Sequence, residues 1–195
     1  MSSTNRGGQR SASDYYITPI EEIVKFLCEF EKDEPNVVKG ADLIFDPCAG
    51  GDIDNDMSYP VALRQYSDEV GYILTMDIRG DSRAELKGDY LSLTMIDYQR
   101  PDVITTNPPF ALAREIITKA LQDVVSGGWV IMLLRLNYFG SDTRKVFWEE
   151  NMPKYAYVHR RRISFREDGK TDSIEYMHAV WHQGEKNRFT MLRVI

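Results

Sequence analysis

"PDVITTNPPFALAREIITKALQDVV", residues 101–125, holds one complete structural unit. "PDVITTNPPF", 101–110, reads as a buried strand ending at the prolines. The stretch that follows carries Ala111, Leu112, Ile116, Ala120 and Leu121 at helical spacing, which predicts a helix with those residues inward. Strand, sharp break and helix together form the repeating unit of an α/β fold.

Working outward, the same unit recurs. "ADLIFDPCAGG", 41–51, is an apolar strand running into a glycine turn, and after the acidic insert "DIDNDMSYP" the segment "ALRQY" continues as helix. "GYILTMDIRG", 71–80, is a second strand ending at Asp77, and "GDYLSL", 88–93, reads as a loop. Beyond residue 125 come the strand "GGWVIMLLRLNYF", the helical "TRKVFWEEN", a strand leading to a loop in "KYAYVHRRRISF", the strand "IEYMHAVWHQG" and the closing strand "RFTMLRVI". Near the start, Thr18 is expected to cap a helix with Pro19 at its first position. Ile20, Ile23, Val24, Leu27 and Cys28 would share its inner face, and the helix should end near Lys32, before Pro35. Continuously apolar strands alternating with helices predict a mostly parallel central sheet with helices on both faces. In such a sheet ligands bind beyond the carboxyl ends of strands, near the point where strand order reverses.

Totals narrow the class. The chain has 195 residues, 43% of them hydrophobic and 28% charged, with a net charge of −6. That length suits one domain, expected over 14–195, behind a polar Ser/Gly/Arg-rich tail, 1–13, expected to be disordered. An acidic total argues against an indiscriminate nucleic-acid binder but not against a local basic face. No apolar run reaches the ~20 residues that span a membrane, and the start lacks the apolar core of a signal peptide, so a cytoplasmic protein is expected. The cysteines Cys28 and Cys48 and the scattered histidines His159, His178 and His182 lack metal-ligand spacing, so no metal site is expected.

The residues that carry chemistry fall where the fold predicts a ligand. Asp46-Pro47-Cys48-Ala49-Gly50-Gly51 is a strand end followed by a turn of small residues, which either lets a ligand approach the backbone or serves the turn alone. Neither nucleotide-phosphate fingerprint is present. An Asp before the turn repels phosphate and attracts an ammonium group. Asp77 either accepts from ribose hydroxyls or ends its strand in solvent. Asp89 could take an adenine amino group while Tyr90 packs on the ring, or could simply serve its turn.

Asn107-Pro108-Pro109-Phe110 has a more definite chemistry. The prolines remove two backbone donors and fix φ, and Asn107 is held extended because a proline follows it. What remains are acceptors, the Asn107 side-chain oxygen and the Pro108 carbonyl. These suit a planar amino group with two hydrogens to give, while Phe110 stacks on the ring that bears it. The nitrogen is then presented to an electrophilic methyl, and positioning replaces a strong base. One further segment stands out, the basic "HRRRISFREDGK", 159–170. Arg160, Arg161, Arg162 and Lys170 suit phosphate contacts and Phe165 suits base stacking; a solvated charged hairpin is the alternative.

Taken together these motifs resemble the S-adenosylmethionine-dependent adenine-N6 DNA methyltransferases, in particular the small enzymes of phages and prophages. Asn107 to Phe110 matches the family's [DNS]-P-P-[YFW] catalytic motif, and Asp46 to Gly51 matches its cofactor turn. Asp77, followed by Ile78, matches the ribose-binding position, and Asp89-Tyr90 the adenine side. Tyr15-Tyr16-Ile17-Thr18-Pro19 is similar to the N-terminal motif over the methionine end of the cofactor, with one extra residue. Arg162-Ile163-Ser164-Phe165, Gly169-Lys170-Thr171-Asp172 and Glu175-Tyr176 resemble a late segment of small phage members. The likeness runs from about Asp14 to His182. It implies a Rossmann-like class I methyltransferase fold, S-adenosyl-L-methionine as cofactor and DNA as partner, with RNA as an alternative.

Two departures matter. Asp52 stands where the family's turn usually has its last glycine, and Asp54 and Asp56 follow. Only about 50 residues follow "GGWVIMLLRL", too few for a separate target-recognition domain, so base selection would fall to 160–170 and the acidic insert.

Overall fold

The computed structural model describes residues 16–94, 99–165 and 174–195. Its centre is an eight-stranded sheet built from β1 (Leu43–Asp46), β2 (Tyr72–Asp77), β3 (Leu86–Lys87), β4 (Val103–Thr106), β5 (Trp129–Arg135), β6 (Tyr155–Val158), β7 (Tyr176–His182) and β8 (Met191–Val194). The strand order is β3-β2-β1-β4-β5-β7-β6-β8. All neighbours pair in parallel except β7, which runs antiparallel to both β5 and β6. The expected mixed α/β architecture is therefore present.

Side-chain alternation along each strand feeds two cores. Ile44, Val103, Ile131 and Val180 face one layer, covered by α1 (Ile20–Asp33) and α2 (Ser58–Tyr66). Phe45, Ile104, Val130 and Met132 face the other, covered by α3 (Ala113–Asp123) and α4 (Lys145–Asn151). Burial on both faces explains why β1, β4 and β5 read as unbroken apolar runs rather than alternating ones. Ties at the edge add direction. Tyr157 Oη donates to Asp33 at 2.7 Å and Arg193 reaches the same carboxylate at 2.7 Å, joining β6 and β8 to the end of α1.

Several local expectations need correction. Thr18 does not cap α1. Pro19 occupies the capping position, its carbonyl taking the N–H groups of Glu22 and Ile23, while Thr18 is spent elsewhere. Cys28 is exposed; the inner face is Ile23, Phe26, Leu27 and Phe30, rotated because the aromatic side chains take the deepest places. Helix α2 starts at Ser58 and so absorbs the end of the acidic insert. The inner face of α3 is Ala113, Ile116, Ile117 and Ala120, whereas Ala111 and Leu112 fall in a 3-10 turn before it and are exposed. "GDYLSL" is not wholly loop, since Tyr90–Ser92 form a 3-10 turn. β8 ends the sheet as an edge strand beside β6, with all four residues exposed.

Gly71 marks a close crossing between α2 and β2. A Cβ there would lie 2.4 Å from the carbonyl oxygens of both Ala41 and Asp42, backbone atoms that cannot rotate away. At Gly80 a Cβ meets nothing within 4 Å. Gly71→Ala should cost roughly 1–3 kcal/mol as overpacking, lowering Tm by roughly 2–4 °C per kcal/mol, with Gly80→Ala unchanged in the same thermal unfolding series. Equal Tm values for the two variants would refute the crowding.

Candidate active site

Strand order reverses between β1 and β4. The chain leaves β1 for α2 on one face and leaves β4 for α3 on the other, so a cleft opens at their carboxyl ends. Pro47, Cys48, Ala49, Asp77, Asp89 and Asn107 are among its lining residues.

The turn after β1 is clasped onto β2. Ala49 N–H donates to the Met76 carbonyl at 2.9 Å, Gly50 N–H donates to Asp77 Oδ2 at 2.7 Å, and Ser82 Oγ donates to the Gly50 carbonyl. Gly50 and Gly51 have φ of 66° and 70°, the left-handed region. A Cβ on Gly51 would also lie 2.7 Å from Met57 Cγ. Glycine is thus required by the turn itself, and the Gly50 N–H is already committed to a carboxylate.

Two acidic groups anchor this end. Asp46 is 1% exposed; its Oδ1 accepts from Cys48 N–H at 3.2 Å, and the Thr106 hydroxyl at the end of β4 also acts on the carboxyl and holds it down. Burial pushes its carboxyl up to about 7, and the neighbouring Asp77 charge adds to the rise. Asp77 accepts from Gly50 N–H and, at 2.8 Å, from Arg79 N–H. A carboxylate offers about four acceptor sites, so lone pairs remain for hydroxyl groups in the cleft. Ile78, the next residue, is an exposed apolar side chain on the lining.

Asp89 and Tyr90 both line the cleft, yet neither is idle there. Asp89 caps the 3-10 turn, accepting from Leu91 N–H at 2.9 Å and Ser92 Oγ at 3.3 Å. The Tyr90 ring is buried edge-on to Phe45, with Lys119 Nζ 5.1 Å from its centroid. It forms floor rather than a free stacking platform.

At the end of β4, Asn107 Nδ2 donates to Thr18 Oγ1 at 3.0 Å, and Asn107 Oδ1 is buried without a hydrogen-bond partner among the described residues. This is where Thr18 is spent, and it orients the amide. Tyr16 joins Thr18 on the lining, whereas Pro19, the capping residue of α1, is absent from it. Asp46, Gly50, Pro108 and Phe110 likewise lie outside the lining; the first two hold the turn from behind. Pro108 is buried, and Pro109 accepts Leu112 N–H at 2.9 Å to start the 3-10 turn.

Phe110 belongs to an aromatic cluster no single motif announces. Tyr16 stacks at 6.5 Å and Tyr176 lies at 5.9 Å, while the Arg135 guanidinium sits 4.4 Å from the Phe110 ring centroid. Phe165 is not a free stacking residue; it packs edge-on against Tyr16 at 5.8 Å and Tyr176 at 4.8 Å. That contact brings the start of the basic segment to the Asn107 end of the cleft. Arg160, Arg161 and Arg162 are exposed, and Arg162 pairs with Glu175 at 3.2 Å. Lys170 lies outside the described residues.

The acidic insert folds on itself. Asp52 Oδ1 gathers the N–H groups of Asp54 and Asn55 and the Asn55 side chain, each at 2.9 Å, while Arg83 pairs with Asp56 at 2.7 Å. The loop after Gly51 therefore follows an Asp-centred turn. The cleft also uses Ser58, Tyr59, Arg79 and Leu91, which sequence spacing did not single out. Nor are the histidines all scattered, because His159 and His178 are hydrogen-bonded to each other at 2.9 Å. The antiparallel pairing of β6 and β7 makes that contact, and their separation of 19 residues hid it.

Among the described residues no cluster of metal-ligating side chains occurs, and no helix is long and apolar enough to cross a membrane.

At the level of sequence, no protein-family model and no curated protein matches the chain. Solved structures do match by fold. A candidate RNA methyltransferase from Pyrococcus horikoshii superposes with a TM-score of 0.62 at 13% identity, covering 93% of each chain. A candidate class I S-adenosylmethionine-dependent methyltransferase from Listeria monocytogenes gives 0.56 at 13% identity, over 92% of this chain and 65% of its own. The M protein of the type I restriction enzyme EcoKI gives 0.57 at 10% identity, over 78% of this chain and 44% of its own. The chain thus spans less than two thirds of the latter two proteins. With an eight-stranded, mostly parallel sheet flanked by helices on both faces, it has the Rossmann-like fold of the class I methyltransferases.

Proposed function

We propose that the chain transfers a methyl group from S-adenosylmethionine to an exocyclic amino group, specifically the 6-amino group of adenine in DNA. The observation that carries this reading is Asn107 Oδ1, a buried acceptor with no hydrogen-bond partner among the described residues, held by Thr18 at the carboxyl end of β4. Leaving such an atom unpaired costs about 1–3 kcal/mol. Nothing in a strand-to-helix connector needs it, whereas an incoming amine satisfies it.

The residues at the other end of the cleft fit the cofactor. Asp46, just behind the β1 turn, is a buried carboxylate whose charge suits the ammonium of a methionine group. Asp77 retains acceptor sites suited to ribose hydroxyls, and Ile78 offers apolar cover. When bound, S-adenosylmethionine supplies an electrophilic methyl group. The protein's part is to orient the amine: Asn107 Oδ1 accepts one hydrogen and the Pro108 carbonyl the other. The two acceptors also stabilise the positive charge that develops on the nitrogen, so no strong base is required. A base stacked on Phe110 would share that ring with Arg135.

Adenine in RNA is a second substrate class, since exposed arginines suit phosphate contacts in either polymer. A cytosine amino group or a glutamine amide presents the same two hydrogens. A module that binds without transferring would leave Asn107 unexplained.

Nucleoside mass spectrometry after incubation with S-adenosylmethionine and unmethylated DNA, with RNA in parallel, should reveal 6-methyladenine in DNA. Asn107→Ala should reduce it by about 10²-fold or more. Modification of RNA alone would reassign the substrate, and none in either polymer would reject the reading.

Asp46 gives a second test. Its carboxyl stands near 7 in the fold against an ordinary value of 3.8, so the folded state holds a proton that the unfolded state gives up. Stability from this group is therefore full at low pH and declines as pH rises through the interval up to about 7. Asp46→Asn should lack that decline, gaining more Tm over the wild type at pH 8 than at pH 5, while binding S-adenosylmethionine more weakly. Parallel Tm profiles would contradict the assignment.

For the basic segment, changing Arg160, Arg161 and Arg162 to Ala should flatten the dependence of log K on log salt by about 0.9 for each phosphate that is no longer neutralised. An unchanged slope in fluorescence anisotropy would remove these residues from the nucleic-acid face.

A further inference from the structure

A line of buried polar groups runs behind the cleft and takes no part in the proposed chemistry. Glu22 Oε2 on α1 meets His159 Nδ1 at 2.9 Å. His159 Nε2 meets His178 Nδ1 at 2.9 Å, and His178 Nε2 meets the Tyr59 hydroxyl at 3.0 Å. His159, His178 and Tyr59 are 2%, 0% and 3% exposed. Tyr59 in turn lines the cleft at the start of α2. The line thus crosses from one helix, through β7 and the end of β6, to a wall of the site.

The direction of its hydrogen bonds follows from its ends. A carboxylate has no hydrogen to give, so His159 donates from Nδ1 to Glu22. Burial pushes the His159 imidazole down against the pull of Glu22, and burial with the adjacent His159 pushes His178 well down, which favours the neutral form of both rings. A neutral ring with its hydrogen on Nδ1 has a bare Nε2. His159 Nε2 must then accept from His178 Nδ1–H, and His178 Nε2 must accept from the Tyr59 O–H. The Tyr59 oxygen keeps only lone pairs. The negative group acting on that hydroxyl is Asp46. A hydroxyl oxygen left with only lone pairs, under the influence of a carboxylate, suits a cation.

We propose that Tyr59 is a positioning residue whose oxygen is fixed by Glu22, His159 and His178 as a hydrogen-bond acceptor for the ammonium group of the cofactor's methionine end. This rests on the S-adenosylmethionine reading above and adds to it the residue that selects a free amino group and the relay that keeps its hydrogen turned away. Phe26, stacked on the His178 ring at 4.1 Å, holds that ring in plane for the relay.

The test is calorimetric binding of two probes, S-adenosylhomocysteine and its analogue lacking the α-amino group, to the wild type, Tyr59→Phe and Glu22→Gln. Tyr59→Phe should weaken S-adenosylhomocysteine about tenfold or more, the scale of a hydrogen bond to a charged group, and leave the desamino analogue unchanged. Glu22→Gln, near the surface and able to donate as well as accept, should shift the same ratio by less. Nitrogen-15 spectra should show both relay histidines with the hydrogen on Nδ1 in the wild type, independently of any cofactor. Equal losses for both probes, or no loss for either, would overturn the proposal while leaving the methyltransferase reading intact. So would histidines protonated on Nε2. A wild type that binds neither probe would overturn both.

Discussion

The reversal of strand order between β1 and β4 is the constraint on which the rest of this protein depends. Two neighbouring parallel strands must send their chains to opposite faces of the sheet, so no connection covers the gap between their ends. Each end then carries exposed backbone and a specialised sequence. After β1 the chain is clasped to β2 through Gly50 and Asp77, and after β4 two prolines stiffen it beside Asn107. The cleft is a consequence of topology, and its chemistry is decided by which residues occupy the two ends.

Those ends carry uncompensated polarity. Asp46 holds a buried carboxylate whose burial raises it toward neutrality, and Asn107 holds a buried carbonyl oxygen with no donor among the described residues. Such groups weigh against stability in a protein whose net stability is about 5–15 kcal/mol. Their persistence, one behind the β1 turn and one at the end of β4, is physically coherent if a ligand carries an ammonium at one end and an amine at the other. Rigid supports make that arrangement sustainable. Thr18 fixes the Asn107 amide, glycines at positive φ fix the β1 turn, and a relay of neutral histidines fixes Tyr59.

The aromatic neighbourhood of Phe110 links the cleft to the basic segment. Tyr16, Phe165 and Tyr176 pack together around it, and Arg135 covers the ring at the end of β5. Residues from the N-terminal segment, β5, β7 and the basic segment therefore converge at the Asn107 end of the cleft.

Much of this was legible in order along the chain. The buried strands, the arrest of β4 at Asn107-Pro108, the glycine turn and the carboxylate at the end of β2 each depend on neighbours within a few residues, where propensity and periodicity act. The same local logic misplaced Thr18, which has the chemistry of a cap but is drawn 89 positions away to Asn107, and misread Cys28, displaced by the aromatic face of α1. What only the tertiary structure decided are contacts made by strand pairing: His159 with His178, His178 with Tyr59, Phe165 with Tyr176, Arg135 over Phe110. Sequence determines such pairs through the packing of the whole sheet, and no local rule reports them, because their separation along the chain is set by loops and crossovers rather than by the period of any helix or strand.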